Sequence, residues 1–117
     1  MSYVDGYVLA VPTAKKDAYL QMAKAVDAVF MEYGALSIVE NWGDDVPEGK
    51  LTSFSMAVQR KEDETVVFSW IVWPDRATRD EGMKKAMADT RLEAFGSVDL
   101  FDGKRMIFGG FETLLSL

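Results

Sequence analysis

The stretch Thr65 to Trp73, TVVFSWIVW, constrains this chain more than any other segment. It is β-branched and aromatic almost throughout and is bounded by the charged run KEDE and by Pro74, the pattern of a strand. Successive side chains of a strand point to opposite faces. One face carries Val66, Phe68, Trp70 and Val72 and the other Val67, Ile71 and Trp73, so both are apolar. Such a strand belongs in the middle of a sheet that is covered on both sides. The first strand, Tyr3 to Val11, repeats the pattern, with Tyr7, Leu9 and Val11 against Val4, Val8 and Ala10. So does a last strand over Lys104 to Phe111, entered through the Asp102-Gly103 turn, with Met106 and Phe108 against Ile107 and Phe111.

Between these strands the period changes. Pro12 ends the first strand and Thr13 is placed to cap a helix, in which Tyr19, Met22, Ala23, Val26, Phe30 and Tyr33 recur at three- and four-residue spacing up to Gly34. Ala35 to Trp42 reads as a strand, with Leu36, Ile38 and Trp42 on one side and Ala35, Val39 and Asn41 on the other. Leu51 to Lys61 fits a short helix behind Thr52 or Ser53, and an irregular strand nearly as well. Asp75 is expected to cap a second helix reaching about Asp89, its stripe of Ala77, Met83, Ala86 and Met87 weakened at Gly82 by ~1 kcal/mol. Arg91 to Lys104 is read as a long connection. The order βαββαβ, with an additional short helix, is that of an α+β, ferredoxin-like subunit in a single domain spanning residues 1–117.

Two helices shield one face of such a sheet. The other would leave an apolar patch of several hundred Å², larger than a soluble monomer usually shows. A second copy of the sheet is the economical cover and would make a dimeric α/β barrel. The alternative is that the Arg91 to Lys104 connection folds over that face.

Composition removes whole classes of chemistry. The chain has no His and no Cys, so it cannot build a zinc site of the usual kind, a thiol nucleophile, a Ser-His-Asp triad or a His-ligated haem site. No cofactor is expected. Its net charge of −6 opposes phosphate backbones and anionic headgroups, so neither nucleic acid nor membrane is expected as a partner. No apolar run nears the ~20 residues of a membrane span, and the start MSYVDGYV lacks signal-peptide character, so the expected location is cytoplasmic.

Two candidate sites stand out. ENWGDDVPEGK, Glu40 to Lys50, gathers Glu40, Asp44, Asp45 and Glu48, oxygen ligands suited to a hard cation. Their spacing matches no Ca²⁺-loop signature and Val46-Pro47-Glu48-Gly49 fits a type I turn, so a turn is expected there and no metal. Asn41, Trp42, Trp70 and Tyr7 could line an aromatic pocket for a small organic ligand; core or dimer interface is the competing role for such residues. Lys104 and Arg105 are expected to form solvated ion pairs. No catalytic residue is assigned.

The segments SYVDGYVLAVP, EYGAL, VENWGDDVPEGK, ETVVFSWIVWPD, RDEGMKKAMAD and FDGKRMIFGGFE together resemble the YbaA-like family of small uncharacterised bacterial proteins, a domain-of-unknown-function family. The resemblance covers nearly the whole chain and implies a homodimeric α/β barrel with a ferredoxin-like subunit. It supplies no activity. The function expected is therefore that of a homodimer binding a small organic ligand. The wider superfamily of that fold suggests an alternative, a cofactor-independent monooxygenase acting on an aromatic or polyketide-like compound, which is analogy at the level of fold.

Overall fold

The computed structural model describes residues 2–95 and 99–117. Strand β1 (Tyr3–Pro12) pairs antiparallel with β3 (Glu64–Trp73) along its whole length, Tyr3 opposite Trp73 and Pro12 opposite Glu64. Strand β2 (Ser37–Trp42) lines the free edge of β3, and β4 (Ile107–Glu112) the free edge of β1. Among the described residues this makes one antiparallel sheet in the order β2-β3-β1-β4, with the two strands that are apolar on both faces at its centre. The fold is α+β and ferredoxin-like.

The inner face of the sheet carries the odd residues of β1 and β3 and the even residues of β2. Helices α1 (Lys16–Glu32) and α3 (Arg76–Ala88) lie against it. Leu9, Val11, Tyr19, Ala23 and Val67 form one cluster, and Val29, Phe30, Ile71, Trp73 and Ala86 another. Trp73 is wholly buried and donates through Nε1 to Asp5 at 3.0 Å. Asp5 also receives the Arg79 guanidinium at 2.8 Å, so its charge is answered where it is buried. Gly82 lies where α3 crosses the Trp73 ring; a Cβ there would stand 2.5 Å from that ring and 2.6 Å from the Tyr33 carbonyl. The glycine that weakens the helix is thus what lets it approach. Gly34, at φ +115°, ends α1 in a conformation that suits no other residue well.

Several sequence expectations change. Thr13 does not cap α1: its hydroxyl shares a hydrogen bond with that of Thr65 at 2.7 Å, and a turn of 3₁₀ helix, Thr13–Lys15, leads into the helix. Asp75 does cap α3, accepting from the Thr78 N–H at 2.7 Å. Leu51 to Lys61 resolves as a one-turn helix α2 (Phe54–Ala57), capped by the Ser53 hydroxyl at 3.0 Å from the Met56 nitrogen. The connection from Arg91 is not wholly loop, because a further helix α4 (Thr90–Phe95) packs beside α1 and α3. The last strand starts at Ile107 rather than Lys104, since Arg105 is used elsewhere: its guanidinium grips Glu64 at 2.7 and 2.8 Å and the Gln59 carbonyl at 2.9 Å. That pair is nearly buried, not the solvated one expected.

Residues 96–98 of the connection lie outside the described residues, and its described end takes the opposite side from the alternative considered for it. Phe101 and Met106 pack with Leu9, Val11 and Tyr19 on the inner face. On the outer face, Val58 behind α2 meets Val8, Ala10 and Val66 at one end. Phe68, Ile107 and Phe111 remain 43%, 45% and 62% exposed there. No helix among the described residues is long and apolar enough to cross a membrane.

Candidate functional site between helix and sheet

A cavity of about 160 Å³ separates α1 from the inner face. Its walls are mostly apolar: Leu9 and Ile71 from the sheet, Met22, Ala23, Val26 and Phe30 from α1, Met87 from α3, and Phe101 and Met106 from the loop before β4. Strand register sets three polar side chains in a row across its floor. Tyr7 on β1 lies opposite Ser69 on β3, and Ser69 opposite Glu40 on β2. From above, the helix contributes Tyr19 and Asp27, both inward-facing because they follow the spacing of Ala23 and Phe30. The Tyr19 hydroxyl donates to Glu40 Oε1 at 2.8 Å, tying the helix to the edge strand.

Burial sets the protonation of this group. The Asp27 carboxyl is pushed up to about 8, first by desolvation and then by its hydrogen bond to Glu40 and the negative charge there. Near neutral pH Asp27 therefore keeps its proton and donates it toward Glu40. The Tyr19 hydroxyl is held far above its ordinary value by burial and by Glu40, and that of Tyr7 by burial and Asp5, so both remain donors. The result is a protonated Asp27 carboxyl beside Glu40, with the hydroxyls of Tyr19, Tyr7 and Ser69 lining the same space and no Lys or Arg among its described lining residues. It can accept and donate protons or hydrogen bonds to a small guest.

The expected pocket residues do not gather here. Tyr7 does line the cavity. Trp42 faces the same side but beyond Glu40, in a smaller recess where the Lys16 ammonium stands 5.4 Å from its ring centre. Asn41 and Trp70 have the opposite parity: Asn41 Nδ2 donates to the Phe68 carbonyl at 3.0 Å, and the Trp70 ring meets that of Phe68 edge-on at 5.4 Å. The acidic stretch likewise comes apart, with Glu40 turned to the cavity, Asp44 and Asp45 exposed, and Glu48 paired with Arg60 at 3.3 Å. Among the described residues no three acidic side chains gather as a metal site. Asp27, Glu40, Tyr19 and Ser69 were missed as a set. Parity was the available signal: Glu40 alternates with Ile38 and Trp42, Ser69 with Val67 and Ile71, and Asp27 interrupts an apolar helix stripe.

The model of a family described as protein of unknown function, DUF1428, matches residues 2–103. The chain belongs to the DUF1428 family. A relative in that likeness is the uncharacterized protein YbaA of Escherichia coli K12, 55% identical over 115 residues and aligned over 98% of both chains. Among solved structures, this DUF1428 member is similar to SnoaB, a cofactor-independent oxygenase from Streptomyces nogalater, at a TM-score of 0.54 and 15% identity, over 99% of this chain and 96% of that one. It is also similar to a dimeric ferredoxin-like protein from an uncultured marine organism, at a TM-score of 0.57 and 12% identity over the full length of both. At these identities the likeness is one of fold.

Proposed function

We infer that the protein is a homodimer in which each subunit binds one small organic molecule between α1 and the sheet. The cavity carries this reading: about 160 Å³ of largely apolar space with a polar row on its floor. Ligand sites pair apolar walls with a few placed polar groups, and a cavity of ~150 Å³ is enough for a benzene-sized guest. The volume favours a single ring over a fused polyketide. Binding of toluene and benzyl alcohol, followed by chemical-shift changes at the Met22, Met87 and Met106 methyl groups, tests it. Shifts at those methyls are expected, and their absence with both probes would refute the reading.

The assembly is supported by the outer face. Phe68, Ile107 and Phe111 leave an apolar surface, and Leu114, Leu115 and Leu117 in the segment after β4 are strongly exposed as well. A second copy supplies a matching surface by two-fold symmetry, and one fold relative is described as dimeric. Light scattering at micromolar concentration should give twice the mass of the chain; a stable monomer would overturn this part.

A second reading, an oxygenase working without a cofactor, draws on the fold shared with SnoaB and on a carboxyl pair able to take the proton of a bound phenol. Oxygen uptake with single-ring phenols tests it, and binding without uptake would set it aside.

A further inference from the structure

The charge of the cavity says more than its size. A buried charge is costly unless it is paired. Here Glu40 is met by hydrogen bonds from Tyr19 and Asp27 and by no Lys or Arg among the described lining residues of the cavity, the Lys16 side chain lining instead the neighbouring recess that Glu40 borders. The charged and titratable groups around it can be named element by element. Helix α1 brings Asp27 and Tyr19, and at its start Lys16, which lies over Trp42 on the far side of Glu40. Strand β1 brings Tyr7, with Asp5 and its partner Arg79 further along. The lining residues of α3 and of the loop before β4, Met87, Phe101 and Met106, bring none.

Ser69 is a separate observation. It is 5% exposed and lies in the floor of the cavity between Tyr7 and Glu40, so its hydroxyl lines the space a guest would take.

We propose that the cavity selects a small organic cation, a single-ring primary amine in its ammonium form. This rests on the reading that the cavity binds a small molecule. An ammonium group carries three N–H donors and no acceptor. The cavity offers three acceptors: from the floor the Glu40 oxygen that Tyr19 leaves free and the Ser69 hydroxyl, and from above the Asp27 carboxyl. The rings of Tyr7, Phe30 and Phe101 wall the space and present aromatic surface, which attracts a cation when a face is offered and otherwise packs against a ring. A carboxylate guest would meet Glu40 unshielded. A cation placed beside Asp27 favours its charged form, so binding drives a proton off that carboxyl.

Calorimetric titration near pH 7 with benzylamine, benzyl alcohol and benzoate, in two buffers of different ionisation heat, is the test. Benzylamine is expected to bind at least about tenfold more tightly than benzyl alcohol, with benzoate weakest, and to release about half a proton or more. Glu40→Gln should abolish the preference of benzylamine over benzyl alcohol. Asp27→Asn should release no proton and narrow the preference, because the carboxylate that forms beside the ammonium is lost. If benzyl alcohol or benzoate matches benzylamine in the wild-type protein, the cation inference is overturned and the ligand cavity stands. If none of the three binds, the cavity reading falls and takes this one with it.

Discussion

Replacing Asp27 by Asn removes one titrating proton while keeping the side chain's shape and a donor aimed at Glu40. In the folded protein the Asp27 carboxyl holds its proton up to about 8, whereas its ordinary value is 3.8. Between those values the folded state binds a proton that the unfolded chain has lost. Stability from this group is therefore complete below the unfolded value and drains away as pH rises toward the folded one. A whole proton corresponds to a slope of ~1.4 kcal/mol per pH unit. Solvent reaches the carboxyl through the cavity mouth, so about 1 kcal/mol per unit is the working figure. From about pH 5 to 7 the wild-type protein should lose ~2 kcal/mol that the variant keeps. With a urea dependence of ~1–3 kcal/mol per molar, the two unfolding midpoints should diverge by about 1 M over that range. Urea unfolding followed by circular dichroism at three pH values reads this directly. Parallel pH profiles would show that Asp27 is not held neutral, and the account of the carboxyl pair would fail with them.

Tyr19→Phe deletes the donor to Glu40 and should cost about 2 kcal/mol in urea unfolding, since hydrogen bonds to charged groups are the stronger kind; a cost near zero would mean the bond is not made in solution. Glu64→Gln leaves the nearly buried Arg105 with only the exposed Asp102 carboxylate, 3.2 Å away, as its anionic partner and should destabilise by about 2 kcal/mol. The Arg105 guanidinium holds the Glu64 carboxyl down to about 2 from 4.5, so this contribution is present above 4.5 and lost as pH falls between those values, and acid unfolding of the variant should lack that component. Gly82→Ala would gain ~1 kcal/mol of helix propensity, but its Cβ would stand 2.5 Å from the Trp73 ring. Overpacking against an unyielding ring costs ~1–3 kcal/mol, so net destabilisation with a shifted Trp emission is expected, and a more stable variant would contradict the close crossing.

The central strands were legible because Thr65 to Trp73 and Tyr3 to Val11 are apolar in both parities, a pattern that few other elements produce. Helix α3 was legible from Asp75, whose cap is local chemistry. Thr13 misled because a β-strand hydroxyl, that of Thr65, competes for it across 52 positions of sequence. The last strand was placed too early because the use of Arg105 depends on Glu64, 41 positions away. The candidate site was legible only in part, Tyr7 lining the cavity and Asn41 and Trp42 sharing smaller recesses beside it, for a different reason. Trp42, Trp70 and Asn41 were grouped by chemical type, yet adjacent strand residues face opposite sides and the register that lines up Glu40, Ser69 and Tyr7 is long-range information. Asp27 was visible only as a flaw in an apolar stripe, which reads as noise until a second carboxyl is found above the same floor.

Strand β3 acts as a partition wall with different furnishings on each side. Val67, Ser69 and Ile71 belong to the cavity side, and Val66, Phe68, Trp70 and Val72 to the outer one. A gene library that varies only the even positions of this strand would reshape the outer surface while the guest's surroundings stay as they are, and one that varies only the odd positions would do the reverse. The binding and association proposed for the two faces can thus be tuned on separate dials, although their residues are immediate neighbours in the chain.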